Sequence, residues 1–151
     1  MFAVLLRHGI AYPRGTKPEE ERDLTEAGHR KMKGNARGLA VLFPKAEVLL
    51  SSPLIRCVQT AEWVVKAYGG KLKIETRDEL RPDGDRNKLR ELIGDKRVIL
   101  VGHEPWLSQS IKRPELELKK GGIYGLRVIG DELQLEWMIP PRALRRLSSR
   151  A

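Results

Sequence analysis

Three short apolar runs constrain this chain more than any other feature, because they show little of the polar alternation of a half-exposed strand. FAVLLR (Phe2 to Arg7), EVLLSS (Glu47 to Ser52) and RVILVG (Arg97 to Gly102) are nearly continuous, and KLKIE (Lys71 to Glu75) is a further strand candidate. A strand with one wet face alternates; a strand covered on both faces does not. Helical segments separate these runs, and a helix between two strands is the usual crossover that makes them parallel. The expected fold is therefore α/β, a three-layer sandwich with a mainly parallel sheet and helices on both faces, formed as one domain over residues 1–151.

The connecting segments carry matching signals. A polar loop runs from Ile10 to about Leu24, and Thr25 then caps a helix reaching about Phe43, with Glu26 in its first turn and Pro44 beyond it. Gly34 and Gly38 weaken that helix and mark close packing. A second helix is expected from Pro53 to about Tyr68, ended by Gly69 and Gly70, and shorter ones over Arg86 to Ile93 and Glu104 to Lys112. Gly122 to Ile129 and Glu132 to Ile139, joined by Gly130 and Asp131, read as an antiparallel C-terminal hairpin.

Charge narrows the partners. A net charge of +9 favours anionic ligands, yet the basic residues are spread along the chain apart from a modest cluster at Arg142, Arg145, Arg146 and Arg150. No segment interleaves aromatic and basic residues, so specific nucleic-acid binding is not expected. The apolar runs are too short to span a membrane, and the start MFAVLLRHG lacks the layout of a signal peptide. With one cysteine, Cys57, the expected location is the cytoplasm and no membrane partner is expected.

In a parallel sheet, ligands bind beyond the carboxyl ends of the strands. All three runs end in groups suited to phosphate: Arg7-His8-Gly9, Ser51-Ser52-Pro53 followed by Arg56, and Gly102-His103-Glu104. Arginine offers a planar fork of donors to phosphate oxygens, and a neutral imidazole can attack phosphorus. Each residue alone has a plainer reading, as a turn histidine or an ion-pair partner. Their conjunction at successive strand ends is what points to one site. Cys57, Trp63 and Trp137 read as packing, His29 as a surface residue, and Trp106 as either packing or a wall of the pocket.

LLRHG, then LSSPLIRCVQTA, then LVGHEP resembles the histidine phosphatase superfamily, the phosphoglycerate mutase-like group. LTEAG at Leu24 to Gly28, ELRPDGD and the ending EWMIPPRAL are similar to its short SixA-type branch of phosphohistidine phosphatases. The resemblance implies a phosphatase with His8 as a transiently phosphorylated nucleophile, Arg7 and Arg56 binding the phosphoryl oxygens, and His103 completing the pocket. It implies no metal and no cofactor. Its substrate would be a phosphorylated protein carrying phosphohistidine, or a small phosphorylated molecule.

One departure from the family pattern carries chemical meaning. Mutase-like and acid-phosphatase members place a proton-donating carboxylate in the loop beyond the third strand or beside the second histidine, and in the stretch resembling the mutase pattern this chain has Leu80-Arg81-Pro82. Asp83 and Glu104 are the two carboxylates that could substitute, and each also has a structural reading, as turn former and helix N-terminal residue. An alcohol leaving group needs a proton, whereas an imidazole with a ring nitrogen titrating near 6.5 leaves far more easily. A missing acid thus favours phosphohistidine. The alternatives are a small phosphomonoester phosphatase using Asp83 or Glu104, and a non-catalytic basic protein that binds phosphate or nucleic acid.

Overall fold

A computed structural model describes residues 2–149. Its single six-stranded sheet runs in the order β3-β2-β4-β1-β5-β6, with β1 Phe2–Arg7, β2 Val48–Ser51, β3 Ile74–Thr76, β4 Val98–Gly102, β5 Ile123–Ile129 and β6 Glu132–Ile139. β1, β2, β3 and β4 are mutually parallel, and β5 lies antiparallel to both β1 and β6. The helices are α1 Glu26–Leu42, α2 Ile55–Ala67, α3 Leu89–Ile93, α4 Trp106–Ser110 and α5 Pro141–Ser148. Among the described residues no helix is long and apolar enough to cross a membrane.

Two cores explain the lack of alternation in the strands. Val4, Leu6, Leu49, Ile99 and Val101 face Met32, Ala36 and Leu39 of α1, Ala61 and Val64 of α2 and Leu144 of α5. Ala3, Leu5, Leu50, Val98 and Leu100 face the opposite way, against Leu89 and Leu92 of α3 and Trp106 and Leu107 of α4. Successive residues of a strand point to opposite faces, so a strand between two helical layers must be apolar at every position. The edge strand β6 is covered on one face only, and its exposure alternates residue by residue. This is the α/β sandwich with an antiparallel C-terminal hairpin.

Local chemistry sets the element boundaries. Thr25 caps α1 by accepting the Gly28 N–H at 2.9 Å. α2 begins at Ile55 rather than at Pro53, because Ser52 Oγ accepts the Leu54 N–H (3.3 Å) and commits the chain to a turn first. β3 begins at Ile74 rather than Lys71, since its ladder to β2 starts at the pair Leu49–Ile74. The segment Arg86–Lys88 is a 3-10 turn leading into α3, and α4 stops at Ser110, before Lys112 adopts a φ of 58°.

No element is expected from the sequence after Ile139, yet residues 141–148 form a helix. Its two prolines do not prevent this, because Pro141 occupies the first turn, where the missing N–H has no intrahelical partner to lose. α5 crosses α1 at the glycines flagged above: a Cβ on Gly38 would lie 2.0 Å from the Leu144 carbonyl oxygen, and one on Gly34 3.2 Å from Arg145 Cγ. Arg150 of the basic cluster lies outside the described residues.

Candidate active site

Register brings the motifs together. Arg7 pairs with Gly102 across β1 and β4, and Ser51 pairs with Val101 across β2 and β4, so three chain segments leave the same sheet edge side by side. Two backbone bonds hold them there beyond the strands: His8 N–H to the Gly102 carbonyl (3.1 Å) and Ser52 N–H to the Val101 carbonyl (3.0 Å). The turn after β2 starts α2 against this edge, which carries Arg56 and Cys57 beneath it. Arg7, His8, Arg56 and His103 all line one cleft of about 760 Å³.

The two imidazoles are nearly sealed, His8 6% and His103 3% exposed, with ring centroids 5.3 Å apart and planes at 62°. His8 Nδ1 lies 2.7 Å from the Gly9 carbonyl oxygen, which can only accept. Nδ1 therefore carries the proton, and the lone pair is on Nε2. His103 Nε2 is hydrogen-bonded to Ser52 Oγ at 2.8 Å. Burial, together with the neighbouring Arg56 and Arg7 charges, pushes His8 down to about 3, against the raising effect of the Gly9 carbonyl. Burial, then His8 and Arg56, push His103 down to about 2. Both rings are neutral at ordinary pH.

The arginines are held at their tips, not at Nε. Arg7 Nη1 donates to the Leu118 carbonyl, and Arg56 donates to the Glu19 carbonyl (2.8 Å) and the Glu19 carboxylate (2.9 Å). The Nε–H of each is buried with no partner among the described residues. A buried guanidinium N–H without an acceptor is costly, and two in one cleft suit an anion with several oxygens.

Sequence reasoning missed several residues around this centre. Arg22 lines the cleft and grips the Glu19 carboxylate through Nε (3.0 Å) and Nη2 (2.8 Å), and both it and Glu19 come from the loop before α1. Lys120 joins from the segment before β5. Thr60 accepts the Gly9 N–H (3.0 Å) and so fixes the loop after His8. Arg22, Glu19 and Lys120 had no pattern to betray them, whereas Thr60 stood inside LSSPLIRCVQTA and Ser52, next to Pro53 in the same motif, stood where its bond to His103 could have been anticipated.

The two candidate acids separate. Glu104 lines the cleft, but its oxygens accept from the Ser108 N–H (2.8 Å), the Ser108 hydroxyl (2.5 Å) and the Leu118 N–H (2.7 Å). Asp83 is exposed and does not line it, whereas the neighbouring Pro82 does. Trp106 is not a pocket wall: it is buried in the core below α4, with its indole N–H on the Gly84 carbonyl (3.1 Å). His29 is half-buried rather than a surface residue, accepting the Trp63 indole N–H at 3.0 Å. Cys57 is fully buried, its thiol pushed up to about 12 by desolvation, with Sγ 3.4 Å from His103 Nε2. Among the described residues no group of three or more His, Cys, Asp or Glu side chains could hold a metal ion.

Comparison with known proteins agrees with this architecture. A profile of the histidine phosphatase superfamily (branch 1) matches residues 3–82. An uncharacterised protein of Picosynechococcus sp. is 35% identical over 141 residues, 84% of this chain and 85% of that protein. The fold superposes on the protein histidine phosphatase SixA complexed with tungstate with a TM-score of 0.85, at 22% identity, covering 95% of this chain and 99% of that one. A SixA protein from Agrobacterium tumefaciens gives 0.75 at 24% identity, over 93% and 97% of the two chains. A phosphoserine phosphatase from Entamoeba histolytica gives 0.72 at 17% identity, over 95% and 98%.

Proposed function

The chain belongs to the histidine phosphatase superfamily, and from that premise we propose that it is a hydrolase removing phosphoryl groups through a phosphohistidine intermediate on His8, with phosphohistidine in proteins as its substrate. The observation that carries this reading is a pair of buried neutral imidazoles in one cleft with two guanidinium Nε–H groups that lack acceptors. A pocket that only bound phosphate would gain nothing from holding one ring neutral with its Nε2 lone pair free.

The reaction follows from the protonation states. His8 Nδ1 stays bonded to the Gly9 carbonyl while Nε2 attacks phosphorus. Arg7 and Arg56 take the phosphoryl oxygens, and the arriving dianion favours protonation of His103, which then donates to a transition-state oxygen. The bond from phosphorus to the leaving ring nitrogen breaks, and its electron pair stays on that nitrogen. The ring departs neutral because solvent has protonated its other nitrogen. Water then attacks the phosphorylated His8, the bond to Nε2 breaks with its electron pair returned to the ring, and the proton of water leaves with inorganic phosphate and solvent.

The carboxylates near the cleft favour a substrate that needs no general acid. Glu19 is held below the ordinary carboxylate range by the Arg22 hydrogen bonds and the Arg56 charge, so it is ionised. Glu104 already accepts three hydrogen bonds, and Asp83 points to solvent outside the cleft. General-acid assistance is typically worth about 10²–10⁴ in rate, and an alcohol leaving group forgoes it here. A small phosphomonoester phosphatase with Glu104 as acid is the second reading, favoured by the place of Glu104 in the cleft lining; phosphatases of small metabolites share the fold.

Phosphate release from a phosphohistidine peptide, a series of aryl phosphates and an alkyl phosphate separates the two readings. Phosphohistidine and acidic phenols should react fast and the alkyl ester slower by on the order of 10²–10⁴, with no turnover in His8→Ala. Equal rates for the alkyl ester, and a steep leaving-group dependence appearing only in Glu104→Gln, would establish the phosphomonoesterase instead.

A further inference from the structure

A second groove opens from the catalytic cleft, and its charge is one-sided. It has a volume of about 600 Å³ and shares Arg7, Ile10 and Lys120 with the cleft. Its remaining lining is Lys31 of α1, Lys119 of the segment before β5, and Pro141, Arg142 and Arg145 of α5. Among the described residues no carboxylate lines it. On the other side of the cleft the arginines are answered by Glu19, which pairs with both Arg22 and Arg56. Among the described residues Lys31, Lys119, Lys120 and Arg142 form no ion pair, and all four are exposed.

Of the groove's cations Arg7 has a counter-charge, the exposed Glu117 carboxylate at 3.5 Å, but the four unpaired ones are like charges whose clustering is unfavourable in the free protein and is relieved by an anionic partner. We propose that this groove is a docking subsite for an acidic, Asp- and Glu-bearing segment of the substrate protein, lying next to the residue whose phosphoryl group enters the cleft. The inference rests on the phosphatase reading and extends it to substrate selection. Lys31, Lys119, Lys120 and Arg142 come from three separate chain segments and are solvent-exposed, unlike Arg56 at 2% exposure. Exposed, dispersed cations suit several carboxylates along an extended chain better than one deeply held phosphate. Among the described residues no Phe, Tyr or Trp side chain lines the groove or the cleft, and the two cleft imidazoles are nearly sealed, so neither offers an open stacking platform for single-stranded nucleic acid. Ile10 and Pro141 are the groove's only apolar residues, too little to insert into a lipid surface.

The test compares wild type with the triple variant Lys31→Glu, Lys119→Glu, Arg142→Glu, whose changes are on exposed side chains. Two arms are read. In the first, kcat/KM is measured on two phosphohistidine peptides of equal length, one flanked by Asp and Glu, the other by Asn and Gln, and on an aryl phosphate without a second anionic group. Wild type should prefer the acidic peptide by about tenfold at low salt, through KM, as expected of a few exposed charge pairs. The preference should vanish in the triple variant and fade with added salt, while aryl phosphate turnover stays the same. In the second arm, fluorescence anisotropy follows the acidic peptide with an unphosphorylated histidine, and binding should be weakened about tenfold in the variant. This arm stands even if phosphohistidine proves not to be the substrate, so the two failures are distinguishable. Equal binding of acidic and neutral peptides to wild type, undiminished binding to the variant, or tighter binding of a single-stranded oligonucleotide than of the acidic peptide would overturn the proposal.

Discussion

Acidification should destabilise this protein through its two cleft histidines by an amount the structure defines. In the unfolded chain an imidazole titrates near 6.5, whereas in the fold His8 is held at about 3 and His103 at about 2. Both folded values are depressed, so the stability each neutral ring contributes is complete above about pH 6.5 and is lost as pH falls towards the folded values. At about pH 5 the unfolded state gains RT ln(1 + 10^1.5), about 2 kcal/mol per ring, while the folded state gains almost nothing. Both rings together cost about 4 kcal/mol, a large share of a typical total of about 5–15 kcal/mol. The assay is urea unfolding, followed by circular dichroism at about pH 7.5 and about pH 5, in wild type and in the His8→Asn, His103→Asn double variant. Every other titratable group is common to the two proteins, so the difference between their pH-dependent losses isolates the pair. Wild type should lose about 4 kcal/mol more than the double variant, and inorganic phosphate should return part of it by favouring the protonated ring. Equal losses in the two proteins would refute the neutral-pair geometry and with it the free Nε2 on His8.

Two further outcomes test the supports of the site. Glu104→Gln places an amide NH₂ among the donors of Ser108 and Leu118, and should lower stability by about 1–3 kcal/mol; because Leu118 also accepts from Arg7, KM for phosphate esters should rise as well. Thermal melting and steady-state kinetics check both, and an unchanged melting temperature would show that Glu104 holds nothing. Gly38→Ala should destabilise by about 1–3 kcal/mol or more, since its Cβ would meet the Leu144 carbonyl oxygen at 2.0 Å. Helix propensity alone predicts a gain of about 1 kcal/mol, so a raised melting temperature would mean that α5 does not press on α1.

Much of the fold was legible because local rules act on contiguous residues. Burial on both faces demands apolar runs such as VILVG, Thr25 caps α1 with its own side chain, and Gly130-Asp131 turns the hairpin within a few positions. Arg7, His8, Arg56 and His103, which line the cleft, were legible for the same reason, each standing at a strand end or just past its turn. α5 was not, since no element is expected after Ile139 and its stability comes from a crossing at Gly38 that lies about a hundred residues away in the chain.

By itself the sequence determined which side chains end which strands, and therefore which chemistry is available at the sheet edge. Only the tertiary structure decided how that chemistry is tuned. The order β2-β4-β1 makes the neighbours of His8 and His103 come from distant segments. Burial among those neighbours, not residue type, makes the rings neutral and leaves two guanidinium N–H groups without acceptors. Glu104 is turned into a brace by Ser108 and Leu118, Trp106 is drawn into the core, and cations of α1, α5 and the segment before β5 converge beside the cleft. Hydrogen bonding, desolvation and charge act across space between residues remote in sequence, and only folding sets those distances.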